Sequence, residues 1–211
     1  MTGALRSPQG RPKEAVLTVG KGRGFVVSDP DPLGGYLVIT AAHCLPDLPR
    51  CHATSLTEDR TYKALLGPLG RKPRVWAECL FADPVGDIAV LGPPGDQSIG
   101  KEGCDAYKAL MTASVPLRIS DPPENGRAWL LSLDGRWFRC HVRHIGGLLS
   151  ISKATKGIVG GMSGSPIVAD DGSAIGVVCV SGGGVGVVHD PNPRLVYNLP
   201  ARFWRKQARR K

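Results

Sequence analysis

Gly160-Gly161-Met162-Ser163-Gly164-Ser165-Pro166 sets a serine among glycines just ahead of a proline. Pro166–Ala169 and Ala174–Ser181 follow it, apolar runs flanking Asp170-Asp171-Gly172-Ser173, which reads as a β-hairpin. Upstream, Arg127–Leu133 and Arg136–Ile145 flank Asp134-Gly135, a two-residue hairpin signal. Earlier still, Ala15–Val19, Gly24–Ser28, Tyr36–Ala41, Arg74–Phe81 and Asp87–Leu91 read as short strands. Gly92–Gly103 interrupts the series with linker chemistry, and Asp105–Met111 reads as one helical turn or two. Short strands at regular spacing, cut once near the middle, predict an all-β protein of two small barrels or one split sandwich. The only long helix predicted begins at about Pro200.

Composition agrees with a turn-rich β protein. The 211 residues include 28 glycines and 18 prolines without a fixed period, which excludes collagen. With 42% hydrophobic and 21% charged residues, the chain is neither a disordered polymer nor a membrane bundle. It has no apolar run long enough for a spanning helix. The net charge of +9 is concentrated in Arg202, Arg205, Lys206, Arg209, Arg210 and Lys211, so the remainder is nearly balanced. Residues 1–20 lack the apolar centre of a secretory signal, which predicts a cytoplasmic protein. Cys44, Cys51, Cys79, Cys104, Cys140 and Cys179 then read as free thiols.

Two other segments stand out beside the serine run: Thr40-Ala41-Ala42-His43-Cys44 and Gly86-Asp87-Ile88-Ala89-Val90-Leu91. Acyl transfer at neutral pH needs these three side-chain types. A serine hydroxyl is a weak nucleophile and needs a base within hydrogen-bond reach. Histidine is the base whose free pKa lies near neutrality, and a carboxylate fixes its tautomer. Gly161 can take the backbone angles that aim its N–H toward a developing oxyanion, beside the N–H of Ser163. Ser165 is the competing nucleophile, but Pro166 restricts it to extended angles, which favours Ser163.

Thr40–Cys44, Asp87–Leu91 and Gly161–Pro166 together resemble the three signature blocks of the trypsin-like (chymotrypsin superfamily) serine peptidases. Gly22-Arg23-Gly24-Phe25 resembles the strand that opens the first barrel in their bacterial members. The resemblance implies two antiparallel six-stranded β-barrels with a C-terminal helix and the site in the cleft between them. The implied division is a flexible segment 1–14, a first barrel 15–91, a linker 92–112, a second barrel 113–199 and a basic helical tail 200–211. It implies a serine endopeptidase with His43 as general base, Asp87 as its orienting carboxylate and Ser163 as nucleophile. Gly161 and Ser163 would supply the oxyanion N–H groups. A protein or peptide substrate is implied; no cofactor, metal or membrane is expected. The specificity pocket would have its base at Gly157 and its wall near Cys179 and Ser181. No acid stands there to select Lys or Arg, which points to a small or apolar residue before the scissile bond. Lys153 and Lys156 keep an acidic preference open.

Two departures from the family pattern carry information. Digestive relatives have an aspartate before the nucleophile that pairs with a newly cut N-terminus; here that position is Met162, which argues against this kind of zymogen activation. The family's usual disulfide after the histidine would use Cys44, but the Gly22–Phe25 strand offers no cysteine partner.

Competing readings fit fewer residues. Cys140, His141 and His144, or Cys51 and His52, suggest zinc, yet no CxxC pair is present and strand alternation separates Cys140 from His141. An α/β-hydrolase order would use Ser163, Asp170 or Asp171, and His189. Its elbow lacks the final glycine, and no strand–helix alternation precedes it. A catalytically silent trypsin-fold binding module is the alternative from another class, although no triad member is replaced. Nucleic-acid binding through the tail lacks an aromatic reader motif; Phe203 and Trp204 are expected to dock the helix on a barrel.

Overall fold

The computed structural model describes residues 12–31, 34–49, 57–179, 185 and 188–205. Among the described residues, twelve strands carry the architecture. The first six are β1 (Val16–Val19), β2 (Gly22–Ser28), β3 (Tyr36–Thr40), β4 (Thr61–Pro68), β5 (Val75–Asp83) and β6 (Ile88–Gly92). They form a closed antiparallel barrel in the order 1-2-3-6-5-4, sealed where β1 pairs with β4 from Leu17↔Pro68 to Val19↔Leu66. The second six are β7 (Asn125–Leu131), β8 (Trp137–Ile145), β9 (Leu148–Ser152), β10 (Pro166–Ala169), β11 (Ala174–Val177) and β12 (His189–Pro193). Their order is 11-10-7-8-9-12, and an isolated bridge Gly176↔Arg194 draws the free edges together. Read as a ring, this repeats the connectivity of the first barrel. The two-barrel expectation therefore holds, with one barrel closed and the other nearly so.

Each barrel buries its own apolar interior, the dominant favourable contribution to folding. In the first it includes Leu17, Phe25, Leu37, Ile39, Leu66 and Leu91; in the second Leu130, Phe138, Val142, Ile151, Ile167 and Ile175. Cys140 belongs to the second interior, where burial pushes its thiol up to about 12. The five described cysteines are free thiols, while Cys51 and His52 lie outside the described residues. Among the described residues no group of three or more His, Cys, Asp or Glu is placed to hold a metal. No helix there is long and apolar enough to cross a membrane.

The helical parts differ from expectation. The 92–112 stretch contains the longest helix, α1 (Asp96–Thr112), which lies against β5 and β4. Cys104, Tyr107, Leu110 and Met111 supply its buried face, at helical spacing, and the Tyr107 hydroxyl donates to the Tyr36 carbonyl at 3.0 Å. Pro93, Pro94 and Gly95 obscure the start of this helix in the sequence, and Gly100 and Gly103 dilute its pattern. Conversely, of the helix predicted from Pro200, the described part 200–205 holds a 3-10 turn, Ala201–Phe203, preceded by the short α2 (Leu195–Asn198). Phe203 does dock, its ring centroid 5.9 Å from that of Phe81 on the first barrel. Residues 206–211 of the basic tail lie outside the described residues.

Candidate active site

Register alone brings His43 to Asp87. β3 and β6 are antiparallel neighbours with Thr40 opposite Ala89. The residues just beyond Thr40 and just before Ile88 therefore emerge at the same end of the pair. His43 sits in a 3-10 turn (Ala42–Cys44) and Asp87 immediately precedes β6. Asp87 grips the histidine at two points. One oxygen accepts from the His43 backbone N–H at 2.9 Å, and the other lies 2.7 Å from the ring Nδ1. This grip requires Asp87 in a left-handed conformation, φ 51°. Aspartate tolerates that region better than most residues, and strain of this kind clusters at functional sites. Asp83 braces the turn by accepting from the N–H groups of Val85 and Gly86, both at 2.9 Å.

Ser163 lies at the other side of the barrel boundary, ahead of β10, and is 8% exposed. Its turn is organised by alternate backbone bonds: Met162 N–H donates to Val159 at 3.2 Å and Gly164 N–H to Val178 at 2.7 Å. Among the described residues the N–H groups of Gly161 and Ser163 donate to no partner. Gly161 has φ +85° and Gly164 φ +81°, a region open to glycine. At Gly164 a β carbon would also overlap the Arg23 carbonyl. Ser165, the other serine of the motif, is fully buried and its hydroxyl has no hydrogen-bond partner among the described residues.

The two arms meet through backbone. Arg23 N–H on β2 donates to the Ser163 carbonyl at 2.8 Å. A β carbon on Gly22 would sit 2.5 Å from the Cys44 sulfur and 2.7 Å from the Ser163 carbonyl oxygen. The Ser163 backbone thus faces the residue beside His43 across a gap that one methyl group would fill. The space where the sequence lacked a disulfide partner for Cys44 is this one. No direct hydrogen bond joins Ser163 Oγ to His43 in this structure; in proteins without substrate such bonds are often long and tighten on binding.

Placement of the expected pocket residues is mixed. Gly157 is half-buried ahead of the fully buried Ile158. Cys179 is tied to its neighbours: the sulfur donates to the Asp87 carbonyl at 3.1 Å, and its N–H donates to the Asn192 side chain at 2.9 Å. Burial raises the pKa of this thiol, and burial likewise raises that of Cys44. Ser181 lies outside the described residues. Lys156 is paired with Asp134 at 3.1 Å, and Lys153 is exposed. Two contributors escaped sequence reasoning: Cys179 as a support under Asp87, and Arg23, a buried cation inside an apolar strand. The second left a signal, because a charged residue between two glycines in such a run is out of place.

Chemically, the arrangement offers an imidazole whose Nδ1 is held by a carboxylate, a serine on a glycine-shaped turn, and, on that serine and on Gly161, two N–H groups with no partner among the described residues. No protein-family model and no curated protein matches the chain. Solved structures do. The NS6 protease from murine norovirus 1 is 18% identical, with 90% of this chain and 94% of that one aligned and a TM-score of 0.51. Rv3671c from M. tuberculosis H37Rv, in an inactive serine-to-alanine form, is 16% identical over 92% of each chain, also at 0.51. The human astrovirus serine protease is 18% identical over 94% of this chain and all of its own, at 0.49. The chain has the two-barrel fold of the chymotrypsin-like serine proteases.

Proposed function

We propose that this chain is a serine endopeptidase acting on protein or peptide substrates. The observation that carries the reading is the two-point grip of Asp87 on His43. With Nδ1–H donated to the carboxylate, Nε2 is left as the acceptor that a serine nucleophile needs. Ser163 Oγ attacks the scissile carbonyl as its proton passes to His43 Nε2. The carbonyl oxygen becomes an oxyanion, stabilised by the Gly161 and Ser163 N–H groups, which engage no other partner among the described residues. His43 then gives the proton to the leaving amine, and an acyl ester remains on Ser163. Water, deprotonated by the same imidazole, cleaves that ester and restores the serine.

Met162 supports activity without a trypsin-type activating cut. It is 1% exposed in the second barrel's interior and carries no charge for a new amino terminus to pair with. With methionine there, the N–H groups of Gly161 and Ser163 make no hydrogen bond to another described residue, which supports this reading.

The test is covalent labelling with a fluorophosphonate on the chain with its Met1 terminus intact, comparing wild type, Ser163→Ala and Ser165→Ala. Labelling of wild type and Ser165→Ala, with loss in Ser163→Ala, is the expected result. Equal labelling of all three, or labelling only after N-terminal cleavage, contradicts it.

A further inference from the structure

Arg23 is a cation buried to 6% exposure in a strand whose other buried members are glycine, phenylalanine and valine. Burying a guanidinium is costly unless its N–H groups find acceptors. Among the described residues no carboxylate pairs with it. Its two terminal nitrogens reach across the barrel boundary instead, to the carbonyls of Leu131 at 2.7 Å and Ser132 at 3.1 Å. Desolvation lowers its pKa accordingly.

Those carbonyls belong to the end of β7, where the chain turns toward β8. The Ser132 carbonyl is also the acceptor for Gly135 N–H, and Ser132 N–H donates to Arg136, both at 3.0 Å. The turn between them carries Leu133, 54% exposed, whose Cδ2 lies 3.6 Å from where a β carbon of Gly161 would sit. The backbone of Arg23 is engaged at the same place. Its N–H holds the Ser163 carbonyl, while its own carbonyl accepts from the Thr40 hydroxyl at 2.6 Å and lies against Gly164. One residue of the first barrel thus touches the nucleophile's turn with its backbone and the turn over Gly161 with its side chain.

We propose that Arg23 is a positioning residue: its guanidinium clamps the β7–β8 turn to the first barrel, so that Leu133 keeps Gly161 in the conformation that presents its N–H. The inference rests on the peptidase reading above. Arginine suits the task because a planar fork can serve two neighbouring carbonyls at once, whereas a lysine ammonium is a single point charge. Methionine fills similar space with no donor. In Arg23→Met the turn loses both bonds, and Leu133 is free to move off Gly161.

The experiment compares wild type, Arg23→Met, Arg23→Lys, Leu133→Ala and the double variants that join Leu133→Ala to each change at Arg23. The rate of fluorophosphonate labelling at Ser163 is read per folded molecule, with peptide kcat and KM beside it. Arg23→Met is expected to label roughly a hundredfold more slowly, the size of effect that an ångström of misplacement produces. It should still reach the same final labelled fraction, and kcat should fall with KM little changed. The pH profile should keep its shape, because the grip of Asp87 on His43 is untouched. Arg23→Lys should recover part of the rate. Leu133→Ala should slow wild type by a smaller factor and add little to Arg23→Met, since in that variant Leu133 is no longer held over Gly161.

Wild-type labelling speed in folded Arg23→Met, or independent multiplication of the two effects, overturns the clamp. If Arg23→Met does not fold, the same coupling is read between Arg23→Lys and Leu133→Ala, where additivity overturns it. If wild type itself takes no label at Ser163, the peptidase reading is what has failed. The clamp is then judged by amide hydrogen exchange across residues 159–164, which must quicken in the Arg23 variants for the proposal to stand.

Discussion

The two barrels hold their shares of the site in different ways. The first grips with side chains: a carboxylate on an imidazole at the end of the β3–β6 pair, with Asp83 bracing the turn behind it. The second holds its serine with backbone: two N–H bonds within the turn, two glycines at positive φ, and a carbonyl received by the opposite barrel. The difference teaches where each half is vulnerable. In the first barrel a single functional group can be removed with the fold kept. In the second, adding an atom is what does damage, because the site is shaped by the absence of side chains.

Gly164→Ala is the strongest way to break the second half. Its β carbon would overlap the Arg23 carbonyl and meet the Thr40 hydroxyl, and its φ of +81° disfavours alanine. The backbone strain alone costs roughly 1–3 kcal/mol. Each kcal/mol lowers the melting temperature by about 2–4 °C in a chain of this size. Loss of detectable labelling together with a lowered melting temperature is expected; labelling at the wild-type rate would mean the turn is not shaped by this contact.

Asp87→Asn probes the first half with the fold preserved. Asparagine is among the residues that accept φ 51° most readily, so the backbone should stand while the imidazole tautomer is set wrongly. A fall of about 10⁴ in kcat is expected, with an unchanged circular dichroism spectrum and melting curve. Turnover as fast as wild type would reduce Asp87 to a structural carboxylate.

Asp134→Asn gives the smallest effect and sharpens the comparison at the turn over Gly161. Ser132, Lys156 and the Arg136 N–H all favour the ionised carboxylate, which holds its pKa at about 2 against an ordinary 3.8. A folded pKa below the unfolded one adds stability that is present above pH 3.8 and is lost as pH falls through about 2. Chemical denaturation should find the variant slightly weaker than wild type near neutrality and equal to it at the acid limit. An equal difference at both pH values would contradict the assignment. The group is exposed, so high salt should shrink the effect.

Much of this was legible in the sequence, and the exceptions have physical causes. His43, Asp87 and Ser163 stand in short motifs whose chemistry can be read residue by residue, and Asp134-Gly135 does mark the turn between β7 and β8. β4 escaped because Lys63 and Gly67 break its apolar run, while a bulge between Tyr62 and Leu66 and a positive φ at Ala64 break its alternation. β12, His-Asp-Pro-Asn-Pro, carries two prolines, which argue against a strand and are tolerated at irregular pairing such as the shift between His189 and Asn192. Only the Asp105–Met111 part of α1 was legible as helix, because Gly100 and Gly103 dilute the pattern of the rest. The clamp of Arg23 on Leu131 and Ser132 depends on which barrel faces which, and local pattern does not contain that information.

The central claim is that a base from the first barrel activates a serine from the second. Its most direct test is the rate of fluorophosphonate attachment to Ser163, located by mass spectrometry, from about pH 5 to about pH 9. A rate that climbs across this range, as a general base working through an imidazole requires, and that collapses in Asp87→Asn without a change in fold, is the expected result. A pH-independent rate, or an adduct found on any residue other than Ser163, would contradict it.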